Sequence, residues 1–166
     1  MEFEIDLCFK SKKWPKNSIL SDKDMFEVMS LEVIKEVKAD KICNVLGLSL
    51  VFVSDAEMKK YNLKSRNKDS ATNVLSFPTE RFSQRELKKF KRENLFLGEI
   101  IFSFEIINKE SEEQNKTFQD HLRHLLIHSI LHLLGYAHEA TREREEMEAL
   151  EISILKKFGI RNPYEL

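Results

Sequence analysis

Hydrophobic positions along the chain change period several times, and each change marks an element. Phe3, Ile5 and Leu7 alternate with Glu4 and Asp6, so the N-terminus reads as a strand with one wet face. Ser21 and Asp24 then resemble a capping box. Phe26, Met29, Val33 and Val37 follow at spacings of three or four, which predicts an amphipathic helix. From Leu48, LSLVFVSD is apolar and β-branched, a buried strand, and AEMKKYN is a short helix.

Residues 63–71 are polar and basic and read as a loop. NVLSFP is a short strand stopped by Pro78. Residues 80–96 carry dense charge and no clean apolar stripe, as a helical excursion or flap would. LGEIIFS is another strand, and a short helix begins at residues 104–109. A long helix is expected over 117–134. A last one starts near Thr141, with Met147, Leu150, Ile154 and Phe158 as its buried stripe. Strands and helices mix without strict alternation, so the class is α+β.

Composition narrows this picture. With 166 residues, 42% of them hydrophobic, the chain suffices for one domain, 1–166, with a real core. A formal net charge of −1 rules out a global field that draws the protein to nucleic acid or membrane. Binding to a polyanion then needs a local patch or a metal. Cys8 and Cys43 are isolated, which fits a reducing compartment. No signal layout opens the chain, and no apolar run nears the roughly 20 residues that span a bilayer. A cytoplasmic location is expected.

The segment HSILHLLGYAH carries the candidate chemistry. On a helix, His128 and His132 lie about 40° and about 6 Å apart, a two-ligand face for one ion. His138 on the same straight helix is about 9 Å beyond His132 and far round the cylinder. Gly135 solves this, because glycine accepts positive φ and can turn the chain back. Three neutral imidazoles leave one tetrahedral corner open, as a catalytic ion needs. Two histidines four apart recur by chance; three with a glycine so placed are much rarer. His124, one turn earlier, reads as packing or as support behind the ligands, and His121 as a surface or stripe residue.

The spacing overlaps the zinc peptidase pattern HExxHxxGxxH, but Ser129 stands where that pattern has its glutamate base. Metal chemistry survives the loss, since zinc lowers the pKa of water to about 7. Phosphodiester cleavage fits such an ion. KKYNLKSRNK (59–68) and RFSQRELKKFKR (81–92) add five and six basic residues, a track for an RNA backbone. Phe82 and Phe90 either stack on bases or bury against the body.

HSILHLLGYAH with EEMEALE, YNLKSRNKDSATNVLSFP and LGEI resembles the bacterial YbeY family of endoribonucleases, or rRNA maturation factors. The resemblance runs from Leu48 to the C-terminus. It implies a small mixed β-sheet packed against several helices, with a central metal-binding helix. It also implies one Zn2+ on His128, His132 and His138, and cleavage of single-stranded RNA. The family role is ribosomal RNA maturation, at the 3′ end of the 16S RNA, and ribosome quality control. Proteins of the small subunit are the implied partners.

The family's functional arginine falls on Arg66, with Glu99 as either its ion-pair partner or a general base. Ser129 replaces a family glycine, and Ala137 replaces the aspartate before the third histidine. Two other readings stay open at this point: a non-catalytic ribosome-assembly factor in which the metal staples a loop, and a metallopeptidase-like hydrolase.

Overall fold

A computed structural model describes residues 1–68 and 70–165. Four strands form one mixed sheet in the order β1-β2-β4-β3. Strands β1 (Glu2–Phe9), β2 (Cys43–Val53) and β4 (Arg92–Ser103) run parallel, and β3 (Val74–Pro78) pairs antiparallel with β4. Parallel neighbours need crossovers. Helices α1 (Lys16–Ser21) and α2 (Lys23–Glu36) connect β1 to β2. Helix α3 (Asp55–Arg66), β3 and the single turn α4 (Gln84–Leu87) connect β2 to β4. Three more helices close the chain: α5 (Phe104–Glu113), α6 (Phe118–Leu133) and α7 (Thr141–Lys157).

Both faces of the sheet are covered. Leu46, Leu48, Leu50 and Phe52 of β2 join the main core with Phe26, Met29 and Val33 of α2 and most of α6. Val51 and Val53 face the other way, into a smaller cluster with Met58 of α3, Leu75 and Ile101. In β4 the inward parity changes: Leu95 and Leu97, then Ile100 and Phe102, all reach the main core. A bulge makes this possible. Gly47 pairs Phe96 and Leu48 pairs Gly98, so β4 carries one extra residue there. Gly98 has φ +150°, and a Cβ on it would lie 2.4 Å from the Phe77 carbonyl oxygen. The glycine of LGEI is therefore a packing requirement.

The α+β expectation holds, and several boundaries move. Ser21 is no cap: it ends α1, its Oγ donating to the Ser18 carbonyl, and Asp22 caps α2 without a side-chain bond. Helix α3 continues through LKSR, so its last turn replaces the start of the expected loop, until Asn67 stops it at φ 54°. Arg66 thus stands on a helix end. The charged excursion is mostly shorter than expected, because β4 already begins at Arg92 and pairs with Cys43 of β2. Phe82 and Phe90 pack edge to face at 5.0 Å and lie against the main core, which favours burial over base stacking. Among the described residues no helix is long and apolar enough to cross a membrane.

Candidate metal centre

Helix α6 is apolar on nearly every side because α2, α5, α7 and the β3–β4 end of the sheet surround it. Thr117 caps it, its hydroxyl accepting from the Asp120 backbone N–H at 3.0 Å. In its C-terminal half, where the neighbouring positions are buried, His128 and His132 remain partly open.

The end of α6 brings in the third histidine. The Tyr136 N–H donates to the Leu131 carbonyl and the Gly135 N–H to the His132 carbonyl, each at 3.0 Å. That bond pair is a Schellman stop, with Gly135 left-handed at φ +96°. A Cβ at Gly135 would stand 2.1 Å from the Phe82 carbonyl oxygen, so the close approach also demands glycine. The chain folds back, and His138 comes to lie beside the other two rings. Ring centroids are 4.6 Å apart for His128–His132, 4.7 Å for His132–His138 and 5.6 Å for His128–His138. One nitrogen from each ring lies within 4.8 Å of the others, and the trio can hold a metal ion.

Hydrogen bonds decide which nitrogens are available. His132 Nδ1 donates to the Tyr136 carbonyl at 3.0 Å, so the stop that reverses the chain also orients this ring. His128 Nδ1 donates to Oε2 of Glu151 on α7 at 3.3 Å. A carbonyl and a carboxylate only accept, so in the neutral rings both Nε2 atoms are lone pairs. Those two lone pairs face each other at 3.1 Å. Left alone they repel. A shared cation removes the repulsion, and ligands about 2.0–2.1 Å from a tetrahedral ion sit at about this separation. Burial first, and then the neighbouring His128 and His138, push His132 down to about 4, which keeps it neutral for ligation.

Behind the ligands lies a buried polar network that sequence reasoning missed. Glu151 is fully buried. Its Oε1 accepts from His124 Nε2 at 2.5 Å and from the Tyr164 hydroxyl at 2.8 Å. Burial by itself raises this carboxyl, but the bonds from His124 and His128 outweigh it and bring it to about 2. Burial lowers His124 despite Glu151, so a neutral ring donates to an anionic carboxylate. The signal was present in the sequence: Glu151 follows Met147 by four and precedes Ile154 by three, an acid on the apolar stripe of α7. His124 is thus joined through Glu151 to the His128 ring. For His121 the surface reading fails and the stripe reading holds: it is buried, and its Nε2 pairs with Glu110 Oε1 at 2.9 Å.

Arg66 shares a cavity of about 490 Å³ with all three histidines, Asn73 and Arg81. It is exposed and makes no ion pair among the described residues, with Glu99 or any other carboxylate. Glu99 does not line this cavity. Of the two basic segments, then, one arginine from each lines the cavity that the histidine trio lines, and Arg92 instead pairs with Glu80.

Over most of its length the chain is similar to known proteins. The family model described as endoribonuclease YbeY matches residues 11–159. A protein named endoribonuclease YbeY from Bartonella quintana is 39% identical over 160 residues, 96% of each chain. One of the same name from Rhizobium etli is 36% identical over 181 residues, covering 99% of this chain and 94% of its own. Among solved structures, TM1509 from Thermotoga maritima aligns over 98% of this chain and 96% of its own, with a TM-score of 0.55 and 23% identity. That likeness speaks for the fold alone.

Proposed function

The chain belongs to the YbeY family of endoribonucleases, and we propose that it is a zinc-dependent enzyme that cuts single-stranded RNA in ribosomal RNA maturation. The 3′ end of the 16S RNA, ribosome quality control, a cytoplasmic setting and contact with small-subunit proteins belong to the same reading, which rests on kinship. The observation that carries the chemistry is local: two imidazole Nε2 lone pairs converge at 3.1 Å, with His138 beside them. His128, His132 and His138 would hold the ion. Three histidine nitrogens suit zinc and leave a tetrahedral corner open. An ion held there supplies Lewis acidity to phosphodiester chemistry.

The chain's own residues do the rest. Arg66 and Arg81 face the trio across one cavity and place fixed positive charge where a scissile phosphate lies. Arg66 makes no ion pair among the described residues, although Glu139 lines the same cavity, so its guanidinium is available for the charge that grows on the phosphate. Glu151 and the Tyr136 carbonyl hold two ligand rings in register. Ser129 is buried inside α6, so the carboxylate base of a peptidase has no counterpart at that position.

The test is cleavage of single-stranded and duplex RNA by the zinc-loaded protein, with Arg66→Glu as the variant. The single strand should be cut and the duplex spared. Arg66→Glu should lose roughly 10²-fold or more in rate with its metal content intact. A variant that cuts like wild type removes Arg66 from the mechanism. Protein that binds small-subunit RNA but never cuts it, with any ion, is an assembly factor instead.

A further inference from the structure

A second, larger cavity adjoins the first. It measures about 770 Å³ and lies between α5, α6 and the C-terminal tail. Asn73, Val74 and His128 line both cavities. The two are therefore halves of one trough that passes the histidine trio. Arg66 and Arg81 stand in one half. Lys116 and Arg161 stand in the other.

Lys116 and Arg161 are unusual cations for a surface this rich in carboxylates. Neither makes an ion pair among the described residues. The nearby acids are engaged elsewhere or exposed. Glu110 accepts from His121 at 2.9 Å and from Asn73 Nδ2 at 3.1 Å, Glu113 pairs with Lys109 at 3.9 Å, and Glu165 sits in the exposed tail. Lys116 is half-buried, and its ammonium is lowered by burial and again by Arg161, with only Glu110 acting against them. Two cations that disfavour each other, beside a cavity, are poised for a shared anion.

The cavity also has an aromatic wall. Tyr164 is 43% exposed, yet its ring is not free to turn. Its hydroxyl is tied to Glu151 at 2.8 Å, and its ring packs edge to face on His124 at 5.5 Å. A ring fixed in advance can stack on a base with little further loss of side-chain freedom. The volume lies within the range of small-ligand sites, about 300–1,000 Å³.

We propose that the cavity bounded by Lys116, Arg161 and Tyr164 is a subsite for a nucleotide flanking the cleaved bond. Lys116 and Arg161 clamp its phosphate, and its base lies on Tyr164. The strand thus crosses the histidine trio with cations on both sides. This subsite rests on the RNA-cleaving reading above.

The test is binding of a single-stranded 2′-O-methyl RNA oligonucleotide to the zinc-loaded protein, by fluorescence anisotropy across a salt series. For the pair Lys116→Ala/Arg161→Ala, the slope of log K against log salt should flatten by about 0.7, the change for one lost phosphate contact on a single strand. Tyr164→Ala should weaken binding about fivefold or more with the slope unchanged. Circular dichroism and metal content confirm that each variant is folded and loaded. If wild type binds and cuts RNA while the double variant keeps its affinity and slope, the subsite is wrong and the catalytic reading stands. If loaded wild type neither binds nor cuts RNA, the reading beneath it falls and takes the subsite with it.

Discussion

His128 and Glu151 are joined across two helices: Nδ1 of the histidine on α6 donates to Oε2 of the buried glutamate on α7 at 3.3 Å. The bond assigns the ring's proton and points Nε2 at His132. Carboxylate partners of this kind raise ligand basicity and fix ring orientation. Glu151→Gln should therefore hold zinc about 10–100-fold more weakly, measured by competition with a chelating dye. Ala137, beside the third histidine, has no polar side chain, so the orienting work falls to Glu151 and the Tyr136 carbonyl. Unchanged affinity in the variant would show that the network behind His128 is packing only.

Gly135 and Phe82 form the second such relationship. The reversal that delivers His138 runs so close to the Phe82 carbonyl that no side chain fits. Gly135→Ala adds a clash to a left-handed backbone. Strain of this kind costs roughly 1–3 kcal/mol. The variant should melt lower and bind metal less tightly, by calorimetry and the same competition assay. A variant with native stability and native affinity would mean that the turn is not what positions the third ring.

Ser129 tests the opposite sign. It is fully buried, and its Oγ has no hydrogen-bond partner among the described residues. A buried hydroxyl left unpaired costs about 1–3 kcal/mol. Ser129→Ala should raise the melting temperature, by about 2–4 °C per kcal/mol recovered for a chain of this length. A lower melting temperature would reveal a partner for the hydroxyl.

Much of this was legible beforehand, for physical reasons that differ by element. Strand β1 announced itself by alternation, β2 by an apolar, β-branched run, and α2 and α7 by apolar stripes at spacings of three or four. The histidine trio was legible because Gly135 sits where a reversal is needed. Other features were hidden. The last turn of α3 has no apolar stripe, since Lys64, Ser65 and Arg66 are exposed, and only backbone propensity and Asn67 mark its end. The start of β4 is masked by charge, because Arg92, Glu93 and Asn94 are exposed although their backbone pairs with β2. His121 and Glu151 were hidden in another way. Each is a polar residue whose burial is tolerable only because a partner waits on another helix, and that partner is far away in sequence.

Glu110 gives the fold a measurable acid limit. Burial raises its carboxyl, but the bonds from His121 and Asn73 prevail and hold it below its ordinary value of 4.5. The folded state therefore binds this proton less tightly than the unfolded chain does. Its stabilisation is present at neutral pH and drains away as pH falls through the folded-state value. Urea titrations of wild type and Glu110→Gln should differ most near neutrality and converge on acidification. Parallel stability curves would remove Glu110 from the acid response.

The central claim is that three imidazoles hold one ion and that RNA cleavage depends on it. Elemental analysis paired with a single-strand RNA cleavage assay, on wild type and on His132→Ala, measures both halves at once. Wild type should carry one zinc per chain and cut. His132→Ala should lose the metal and the activity together while remaining folded. Cleavage that persists in a variant with no ion would contradict the account.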